Sequence, residues 1–577
     1  MNKTLEACER TKDGNRLDEI LGDGVNPQDY SLPTFVDISQ ALVALVNPHY
    51  QPTSIHAREM MALFRPKEHS SSDGHIYLFI FADAFGENIR MKLPDDFFMK
   101  RHFVQLSRAI FPSSTPCCMT SLFTGLYPCD HGVVGRTYLK EHNIVATPLN
   151  FVDFESRKKL DESGITIPQL FPKPVLLPES TDYFFTEGMH NPQLDYEWKK
   201  RKSEKIKEKE SATKSEGEPN EHEEDNPRFH YYWDLDDCAE KIIDFVHSLQ
   251  ESDKQQKMAS TAEKPCEDHL IVVYWDVIDN MEHRTGMHTQ ETENALKDLE
   301  KFLASLEKAL TQTTIVVTAD HGHTPLPFTN HVDWDWPPAG LSEEVQKLIE
   351  DHTAAYEVRK EKYQRDVKER EVKIQKEIAD WESKQKAKQK EGKDSPETKD
   401  QLESSLSPSA AAASAEAGSA DSSTSAASPF IPHIRQINPI YPFQKPIFNL
   451  FDTKEELQQH LSRVDRMLSL LRTKHAGGDR RCGFFYCIDG EDNKLEFKKL
   501  FTQEYGDKFV LMSVDEVDEL RLFGPTPLSP FTKERMGDWV CLPKENAPYG
   551  WGHAVHVSVH SGLSRDEMLV PLAVCQL

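Results

Sequence analysis

The chain has 577 residues, of which 38% are hydrophobic, and its 68 Lys and Arg stand against 95 Asp and Glu, a formal net charge of −27. This acidic balance argues against nonspecific binding to nucleic acid duplexes or to anionic membranes, because the summed field repels phosphate polymers. A small phosphorylated substrate is still allowed, since bound cations would dominate the potential of a site. The length suffices for one large α/β core even without the polar stretches.

Signals for export are weak in this sequence. The first residues, MNKTLEACERTKDG, are polar and lack the apolar segment of a signal peptide, and no run of about 18 apolar residues occurs that could cross a membrane. The 10 Cys show neither zinc-finger nor disulfide spacing. We therefore expect a cytoplasmic protein with reduced thiols. The final tripeptide is a weak peroxisomal candidate, because Gln576 replaces the usual basic residue.

The predicted elements begin after an N-terminal extension, residues 1–72, which reads as short helical and turn pieces. Residues 75–83 form a continuous apolar run that ends in an aspartate, which is typical of a strand buried on both faces. Residues 269–276 and 313–320 repeat this design, and between them apolar residues recur at helical spacing over 296–310. This order predicts a parallel βαβ unit with a right-handed crossover, in which ligands gather at the carboxyl ends of the strands.

Two polar stretches interrupt the predicted core, whose first part is 73–350 and whose second part is 430–577. The first stretch, 199–226, is a run of basic and then acidic residues. The second, 351–429, joins a Lys- and Glu-rich segment to an Ala/Ser-rich one, which predicts an exposed charged helix followed by a disordered segment. Because this helix lacks a heptad seam, a solvated arm is favoured over a dimerising coiled coil.

The second part of the core contains several short predicted elements. The Thr-Lys-Glu-Glu sequence at 453–456 is a capping box that opens a helix, and a second capping box runs from Ser564 to Glu567. Strands are predicted at 482–489, 508–513, 539–543 and 553–560.

Acidic, histidine-rich or threonine-bearing patches follow the predicted strands. They are FADAFG with Asp83, FPSSTPCCMTSLFTG with Thr115, YWDVIDNMEH with Asp279 and His283, VVTADHGH with Asp320 and His321, and VSVHSGL with His560. Three aspartates, three histidines and one hydroxyl are the inventory that two zinc-like ions and an oxygen nucleophile need. The spacing agrees, because Asp279 and His283 are four residues apart and one helical turn puts them on the same face.

Several segments, in this order, resemble the type I phosphodiesterase/nucleotide pyrophosphatase family of the alkaline phosphatase superfamily, and most closely its intracellular, alkaline-phosphatase-like branch. The nucleophile segment is FPSSTPCCMTSLFTGLYPCDHGVVG, and the metal segments are YWDVIDNMEHRTG and VVTADHG. Two later segments, RMGDWVCLP and HSGLSRDEMLVPLAV, extend the resemblance. It covers about 75–340 and 430–577.

The resemblance implies an α/β fold with a mostly parallel central sheet flanked by helices, and a smaller cap region within 120–265 or 430–550. It also implies two divalent ions, zinc by expectation with manganese as the alternative. One ion would be held by Asp279, His283 and His560. The other would be held by Asp83, Asp320 and His321, with Thr115 facing the pair.

The activity that the resemblance implies is hydrolysis of a small phosphate diester or pyrophosphate, for example of a nucleotide, through a phosphothreonine on Thr115. The helix predicted to begin near Cys117 would offer its free amides to the phosphoryl oxygens. A phosphomonoesterase is the alternative, although Arg136 is a weak candidate for the extra positive group it needs. A second alternative is a phosphate-binding scaffold that has lost catalysis and serves a protein partner.

The residues leave several alternatives open within the site. Ser113, Ser114 and Thr120 compete with Thr115, because a hydroxyl before Pro116 is often only a helix cap. Asp276 is an alternative to Asp279, and His553 to His560. We interpret His131 and His323 as supporting or turn residues rather than ligands, and Cys117 and Cys118 as packing residues.

Overall fold

The computed structural model describes residues 20–22, 24–26, 29–67, 74–189, 191–212, 226, 228–259, 267–326, 331–332, 365, 454–544, 550–551 and 556–577. The chain divides into one unit of Met1–Gln346 with Gln444–Leu577 and a second unit of Lys347–Phe443, of which residue 365 alone is described. The predictions for 351–429, for the capping box at 453–456 and for His553 therefore fall wholly or partly outside the described residues.

The strands, in chain order, are β1 Ile76–Ala82, β2 Phe103–Arg108, β3 Thr137–Leu139, β4 Ile144–Thr147, β5 Val152–Asp153, β6 Asp182–Thr186, β7 Phe229–Tyr232, β8 His269–Trp275, β9 Thr313–Thr318, β10 Thr324–Pro325, β11 His331–Val332, β12 Gly477–Asp479, β13 Cys482–Phe485, β14 Phe509–Ser513, β15 Trp539–Pro543, β16 Gly550–Trp551, β17 Ser558–Val559 and β18 Leu569–Gln576.

The helices are α1 Phe35–Val46, α2 Ile55–Phe64, α3 Glu87–Arg90, α4 Phe98–Arg101, α5 Thr115–Thr124, α6 Pro128–His131, α7 Ile167–Leu170, α8 Pro192–Ala212, α9 Leu235–Ala259, α10 Val277–Thr285, α11 Gln290–Ala309, α12 Lys454–Ser469, α13 Glu491–Tyr505, α14 Val514–Glu519, α15 Pro530–Met536 and α16 Arg565–Met568.

A seven-stranded sheet in the order β2-β18-β9-β1-β8-β6-β7 forms the centre of the fold. Strand β1 pairs in parallel with both β8 and β9, so the predicted βαβ unit is parallel but its two strands are separated by β1. Strand β18 is antiparallel to β2 and to β9. The expectation of a mostly parallel central sheet is confirmed, whereas the sequence analysis did not predict β18.

Helices cover both faces of this sheet. Along β1 the side chains alternate, so that Leu78 and Ile80 enter one apolar cluster while Phe79 and Phe81 enter another. The first cluster receives the apolar stripes of α9 and α11, and the second receives α1, α2 and α5. Helices α1 and α2 belong to the segment interpreted as an N-terminal extension, and their buried side chains pack against the sheet.

A smaller antiparallel sheet, β12-β13-β15-β14, lies within 477–543 and packs against α12 and α13. It agrees with the cap alternative at 430–550. The alternative at 120–265 is wrong for its second half, because β6 and β7 are strands of the central sheet. Among the helices of the described ranges, none combines the length and the apolar character needed to cross a bilayer.

Candidate metal centre

The carboxyl ends of three adjacent strands, β9, β1 and β8, position the candidate site. Asp83 follows β1, and Asp320 and His321 follow β9. Helix α10 follows β8 and carries Asp279 and His283. Because parallel strands end at the same edge of a sheet, these residues from distant parts of the chain lie together. His560 reaches the same place from the segment directly after β17.

The first group, called here the Asp83 cluster, consists of Asp83, Asp320 and His321, all buried. Nε2 of His321 lies 3.6 Å from Oδ1 of Asp83 and 3.3 Å from Oδ2 of Asp320. The same nitrogen lies 3.3 Å from Oγ1 of Thr115. Nδ1 of His321 donates to the carbonyl of Gly322 at 3.2 Å, so the lone pair of Nε2 points at the two carboxylates.

In each carboxylate of the Asp83 cluster one oxygen accepts hydrogen bonds, and the other has no hydrogen-bond partner among the described residues. The hydroxyl of Tyr274 donates to Oδ2 of Asp83 at 2.6 Å. Oδ1 of Asp320 accepts the backbone N–H of His321 at 2.9 Å and that of Ala84 at 3.3 Å. Oδ1 of Asp83 and Oδ2 of Asp320 are buried without a hydrogen-bond partner among the described residues. Two buried, unpaired oxygens beside an imidazole lone pair are the ligand set that a divalent cation satisfies.

The second group, called here the Asp279 cluster, consists of Asp279, His283, His323 and His560. Its imidazoles converge on one oxygen, Oδ1 of Asp279, which lies 2.8 Å from Nε2 of His323, 3.4 Å from that of His283 and 3.8 Å from that of His560. The sequence analysis interpreted His323 as a supporting residue. In the structure its ring nitrogen approaches Asp279 more closely than those of the two predicted ligands.

Burial and mutual repulsion perturb the acidic groups of both clusters. Burial, and then the charges of the neighbouring aspartates, raise the pKa of Asp83 well above its usual range. Burial raises the pKa of Asp320 to about 6 and that of Asp279 to about 7. Burial also lowers the pKa of His321 well below its ordinary value. A site that disfavours three carboxylate charges at neutral pH is one that a cation relieves.

The hydroxyl groups near Thr115 differ in what they bind. Thr115 is the first residue of α5, and its Oγ1 faces the Asp83 cluster. The three rival hydroxyls donate to other oxygens: Ser113 to the carbonyl of Gly562 at 2.9 Å, Ser114 to Oδ2 of Asp479 at 2.7 Å, and Thr120 to the carbonyl of Pro116 at 2.7 Å. Of these four hydroxyl groups, that of Thr115 is the one that faces the Asp83 cluster.

The helix expected to begin near Cys117 begins at Thr115, and the amides of Cys117 and Cys118 are not free. The N–H groups of Cys117 and Cys118 both donate to the carbonyl of Ser114, at 2.9 and 3.0 Å. The two thiols are fully buried, and burial raises their pKa well above the usual range, which agrees with packing residues.

The backbone at Gly322, next to His321, packs directly against the backbone at Gly86 and at Asp566. A Cβ at Gly322 would lie 2.1 Å from the carbonyl oxygen of Asp566 and 2.9 Å from Cα of Gly86. The N–H of Gly322 donates to the carbonyl of Glu567 at 3.0 Å. The glycines of the FADAFG and TADHGH motifs therefore allow a close approach that fixes where Asp320 and His321 point.

The remaining candidate residues lie outside the Asp83 and Asp279 clusters. His131 is buried between the Ser121 hydroxyl and the N–H of Val133, at 3.0 Å from each, which suits a structural role. Asp276 precedes α10 and is not part of either cluster. A third possible metal group, His102, Glu307 and Cys575, lies elsewhere, and there Arg101 forms a two-pronged ion pair with Glu307.

Sequence reasoning missed two contributors to the site, Tyr274 and Ser558. Tyr274 sits within an apolar strand run, and no local pattern shows that it reaches Asp83. Ser558 binds His323 and His283 from a segment far along the chain.

Comparison with known proteins gives a family match. The profile of the family described as type I phosphodiesterase/nucleotide pyrophosphatase matches residues 98–414, which is more than half of the chain. The matched range contains Thr115, whereas Asp83 and His560 lie outside it. No curated protein matches the sequence significantly.

The solved structures that match the chain have low sequence identity and low TM-scores. Murine ectonucleotide pyrophosphatase/phosphodiesterase 5, an inactive form in complex with AMP, is 11% identical with a TM-score of 0.41, over 87% of this chain and 88% of that chain. The human protein of that name is also 11% identical with a TM-score of 0.41, over 87% of each chain. Phosphonoacetate hydrolase from Sinorhizobium meliloti, in complex with phosphonoformate, is 15% identical with a TM-score of 0.37, over 88% of this chain and 90% of that chain.

Proposed function

Because the chain belongs to the type I phosphodiesterase/nucleotide pyrophosphatase family, we propose that it is a divalent-metal-dependent hydrolase of small phosphate diesters or pyrophosphates with Thr115 as its nucleophile. One observation carries this proposal. The two unpaired carboxylate oxygens, on Asp83 and Asp320, are buried beside Nε2 of His321, which in turn lies 3.3 Å from the Thr115 hydroxyl. A hydroxyl beside such a ligand set is arranged for nucleophilic attack rather than for capping a helix alone.

Two divalent ions fit these residues. The Asp83 cluster, with Thr115, would hold one ion, and the Asp279 cluster would hold the other. Carboxylate oxygens and imidazole nitrogens suit zinc, with manganese as the alternative. When bound, such a pair of ions supplies Lewis acidity that favours the ionised hydroxyl and stabilises charge on the attacking and leaving oxygens.

The residues of the chain hold the nucleophile in place. Nδ1 of His560 donates to the carbonyl of Ser113 at 2.9 Å, and the N–H of Ser561 donates to the Ser113 hydroxyl at 3.0 Å. These bonds tie the segment before Thr115 to the segment that carries His560. Ser114 is anchored on Asp479, because its hydroxyl donates to Oδ2 of that residue at 2.7 Å. Thr115 thus starts α5 in a fixed position, which reduces the entropy lost on reaching the attack geometry.

The proposed reaction has two steps. Oγ1 of Thr115 forms a bond to phosphorus while the bond to the leaving oxygen breaks, and the proton of the hydroxyl ends on the leaving group. This gives a phosphothreonine diester. Water then adds to phosphorus, the bond to Oγ1 breaks, and the Thr115 hydroxyl is restored together with a monoester product.

The contacts of the Arg136 guanidinium favour a diester substrate over a monoester. A monoester carries a third charged oxygen that calls for an additional cationic group. Nε of Arg136 donates to the carbonyl of Gly478 at 3.3 Å, and its guanidinium lies over the ring of Phe154 at 4.5 Å. These contacts direct the guanidinium to the protein instead of to a phosphate group.

Hydrolysis of bis(4-nitrophenyl) phosphate beside 4-nitrophenyl phosphate tests the proposal, using zinc-loaded wild type, Thr115→Ala and Thr120→Ala. We expect diester hydrolysis to dominate and Thr115→Ala to lose at least about 1,000-fold in kcat, as removal of a nucleophile does. The matched control, Thr120→Ala, removes a hydroxyl that binds only Pro116 and should stay within about threefold of wild type. Metal content should stay near two ions per chain in both variants.

Three results would contradict parts of the proposal. Faster hydrolysis of the monoester would overturn the substrate class. Equal turnover by Thr115→Ala and wild type would exclude Thr115 as the nucleophile. Full turnover by protein that elemental analysis finds free of metal would overturn the metal-dependent chemistry.

A further inference from the structure

We propose that Glu567, paired with Arg481, is a positioning residue that sets the spacing between the two candidate ion clusters. This inference rests on the proposed function, since it concerns the same two clusters. One histidine of each cluster is involved: the rings of His321 and His560 stack with their centroids 4.0 Å apart and their planes 15° apart. Two ions can act together on one phosphate group only while their ligands keep such a spacing.

The backbone of Glu567 holds the segment that carries His321. The carbonyl of Glu567 accepts the N–H of Gly322, the residue directly after His321, at 3.0 Å. The preceding carbonyl, of Asp566, lies so close that a Cβ added to Gly322 would approach its oxygen to 2.1 Å. Because packed backbone transmits displacement, a shift of the short helix α16 at Glu567 must also shift His321.

The side chain of Glu567 holds the segment that carries His560. Oε1 of Glu567 accepts the N–H of Gly562, which lies two residues after His560, at 2.8 Å. The carbonyl of Gly562 in turn accepts the Ser113 hydroxyl at 2.9 Å, and the carbonyl of Ser113 accepts Nδ1 of His560 at 2.9 Å. One carboxylate thus supports the last predicted ligand and, through Ser113, the segment that leads into Thr115.

The second carboxylate oxygen fixes the side chain of Glu567 relative to its own backbone. Oε2 accepts the N–H of Ser564 at 3.1 Å and the Ser564 hydroxyl at 2.6 Å. The N–H of Glu567 donates to the same hydroxyl at 3.3 Å. This capping box closes the single turn of α16. The bonds to the two ligand segments therefore start from one rigid turn, so that His321 and His560 keep their relative position.

Arg481 supplies the positive charge that this buried carboxylate needs. Both side chains are fully buried, and Nε of Arg481 donates to Oε1 of Glu567 at 2.8 Å. The backbone of Gly562 lies against the pair, since a Cβ there would lie 2.7 Å from Nε of Arg481 and 2.7 Å from Oε2 of Glu567. Arg481 belongs to the turn between β12 and β13, so the smaller antiparallel sheet helps to set the spacing of the ligands.

Full-length wild type, Glu567→Gln and the control Asp182→Asn, all loaded with manganese, test this inference. Glu567→Gln keeps the size of the side chain but removes its charge and replaces one acceptor oxygen by a donor. Asp182 is also a buried carboxylate, and it pairs with Arg228 and His230. It lies at the start of β6, whereas the site lies at the carboxyl ends of the parallel strands. Both changes weaken a buried ion pair, but Glu567 alone connects the two clusters.

Electron paramagnetic resonance reports the spacing, because manganese ions about 4 Å apart couple magnetically and the coupling falls steeply with distance. We expect coupled ions in wild type and weaker coupling in Glu567→Gln. In hydrolysis of bis(4-nitrophenyl) phosphate, kcat of Glu567→Gln should fall about 10- to 100-fold while KM stays within about threefold. Asp182→Asn should match wild type in its spectrum and in both kinetic constants.

A conservative change separates positioning from a general loss of structure. Arg481→Lys keeps the positive charge but loses the planar guanidinium, so its coupling and kcat should lie between those of wild type and Glu567→Gln. Circular dichroism and urea unfolding of the metal-free forms check that each variant is folded. If Glu567→Gln fails this check, Arg481→Lys takes its place in the comparison with wild type.

The outcomes distinguish this inference from the proposed function. If wild type binds two ions and hydrolyses the diester, but folded Glu567→Gln keeps the wild-type coupling and kcat, the inference alone is refuted. An equal loss of kcat in Asp182→Asn would also refute it, because the loss would then follow from stability. If wild type binds two ions without hydrolysing the diester, the proposed function fails and the spectra still decide the inference. If wild type binds no metal, both are refuted.

Discussion

Replacing Gly322 by alanine is expected to impair both catalysis and folding stability. The added Cβ would lie 2.1 Å from the carbonyl oxygen of Asp566, and ordinary contact begins at 3.4 Å, so the backbone must move by about 1.3 Å. Movement to the other side is blocked by Cα of Gly86 at 2.9 Å, and the N–H of Gly322 is bound to Glu567. Overpacking of this kind costs about 1–3 kcal/mol of stability. A displacement of about 1 Å beside His321 costs about 100-fold in rate.

The assay compares kcat/KM for bis(4-nitrophenyl) phosphate and the free energy of unfolding in urea. Gly483→Ala is the matched control, because Gly483 is buried in β13 and a Cβ there would meet only Cys541 Cβ at 3.8 Å. We expect the control to resemble wild type in both measurements. If Gly322→Ala keeps wild-type kcat/KM and stability, the close approach does not fix the ligands and the reasoning fails.

The remaining predictions concern a positioning bond, a buried ion pair and the pH dependence. Tyr274→Phe removes the donor to Asp83, and we expect zinc affinity to fall about 10- to 100-fold in a chelator competition. Arg481→Met leaves Glu567 without its buried ion-pair partner and should cost about 3–5 kcal/mol in urea unfolding. Burial raises the pKa of Asp279 from 3.8 to about 7 in the metal-free fold, so the folded form binds more protons at this group, and the melting temperature of wild type relative to Asp279→Asn should fall as pH rises through that window.

Each of these predictions has a contrary outcome. Unchanged zinc binding in Tyr274→Phe would mean that the hydroxyl does not orient the carboxylate. If Arg481→Met lowers the free energy of unfolding by less than about 1 kcal/mol, water or other groups satisfy the Glu567 carboxylate in the variant. For the metal-free protein in chelator, a melting temperature of wild type relative to Asp279→Asn that rises between about pH 5 and about pH 8 would contradict the direction of the Asp279 shift. Added zinc should remove most of this pH dependence, because it takes the place of the proton.

Local sequence patterns were sufficient to predict the strands that end in an aspartate. Continuous apolar runs closed by Asp83 and Asp320 encode burial on both faces, and the spacing of Asp279 and His283 encodes one turn of helix. These are properties of neighbouring residues, so they can be read without knowledge of the fold. The order of the motifs also identified the family.

Longer-range features could not be predicted in the same way. Strand β18 lies antiparallel between β2 and β9, and its apolar run does not reveal its partners. The cap was left open between two ranges, because short strands such as β6 and β13 look alike in sequence whichever sheet they join. Pairing between strands depends on segments far apart along the chain, which no local pattern encodes.

The sequence alone therefore predicted which residues carry the proposed chemistry and which strands place most of them. Tertiary structure decided which lone pairs meet, since the proton on His560 is set by a backbone carbonyl 447 residues away, at Ser113. It also decided that His323 joins Asp279, through the hydroxyl of Ser558. The physical reason is that hydrogen-bond partners fix an imidazole's tautomer, and these partners come together only when the chain has folded.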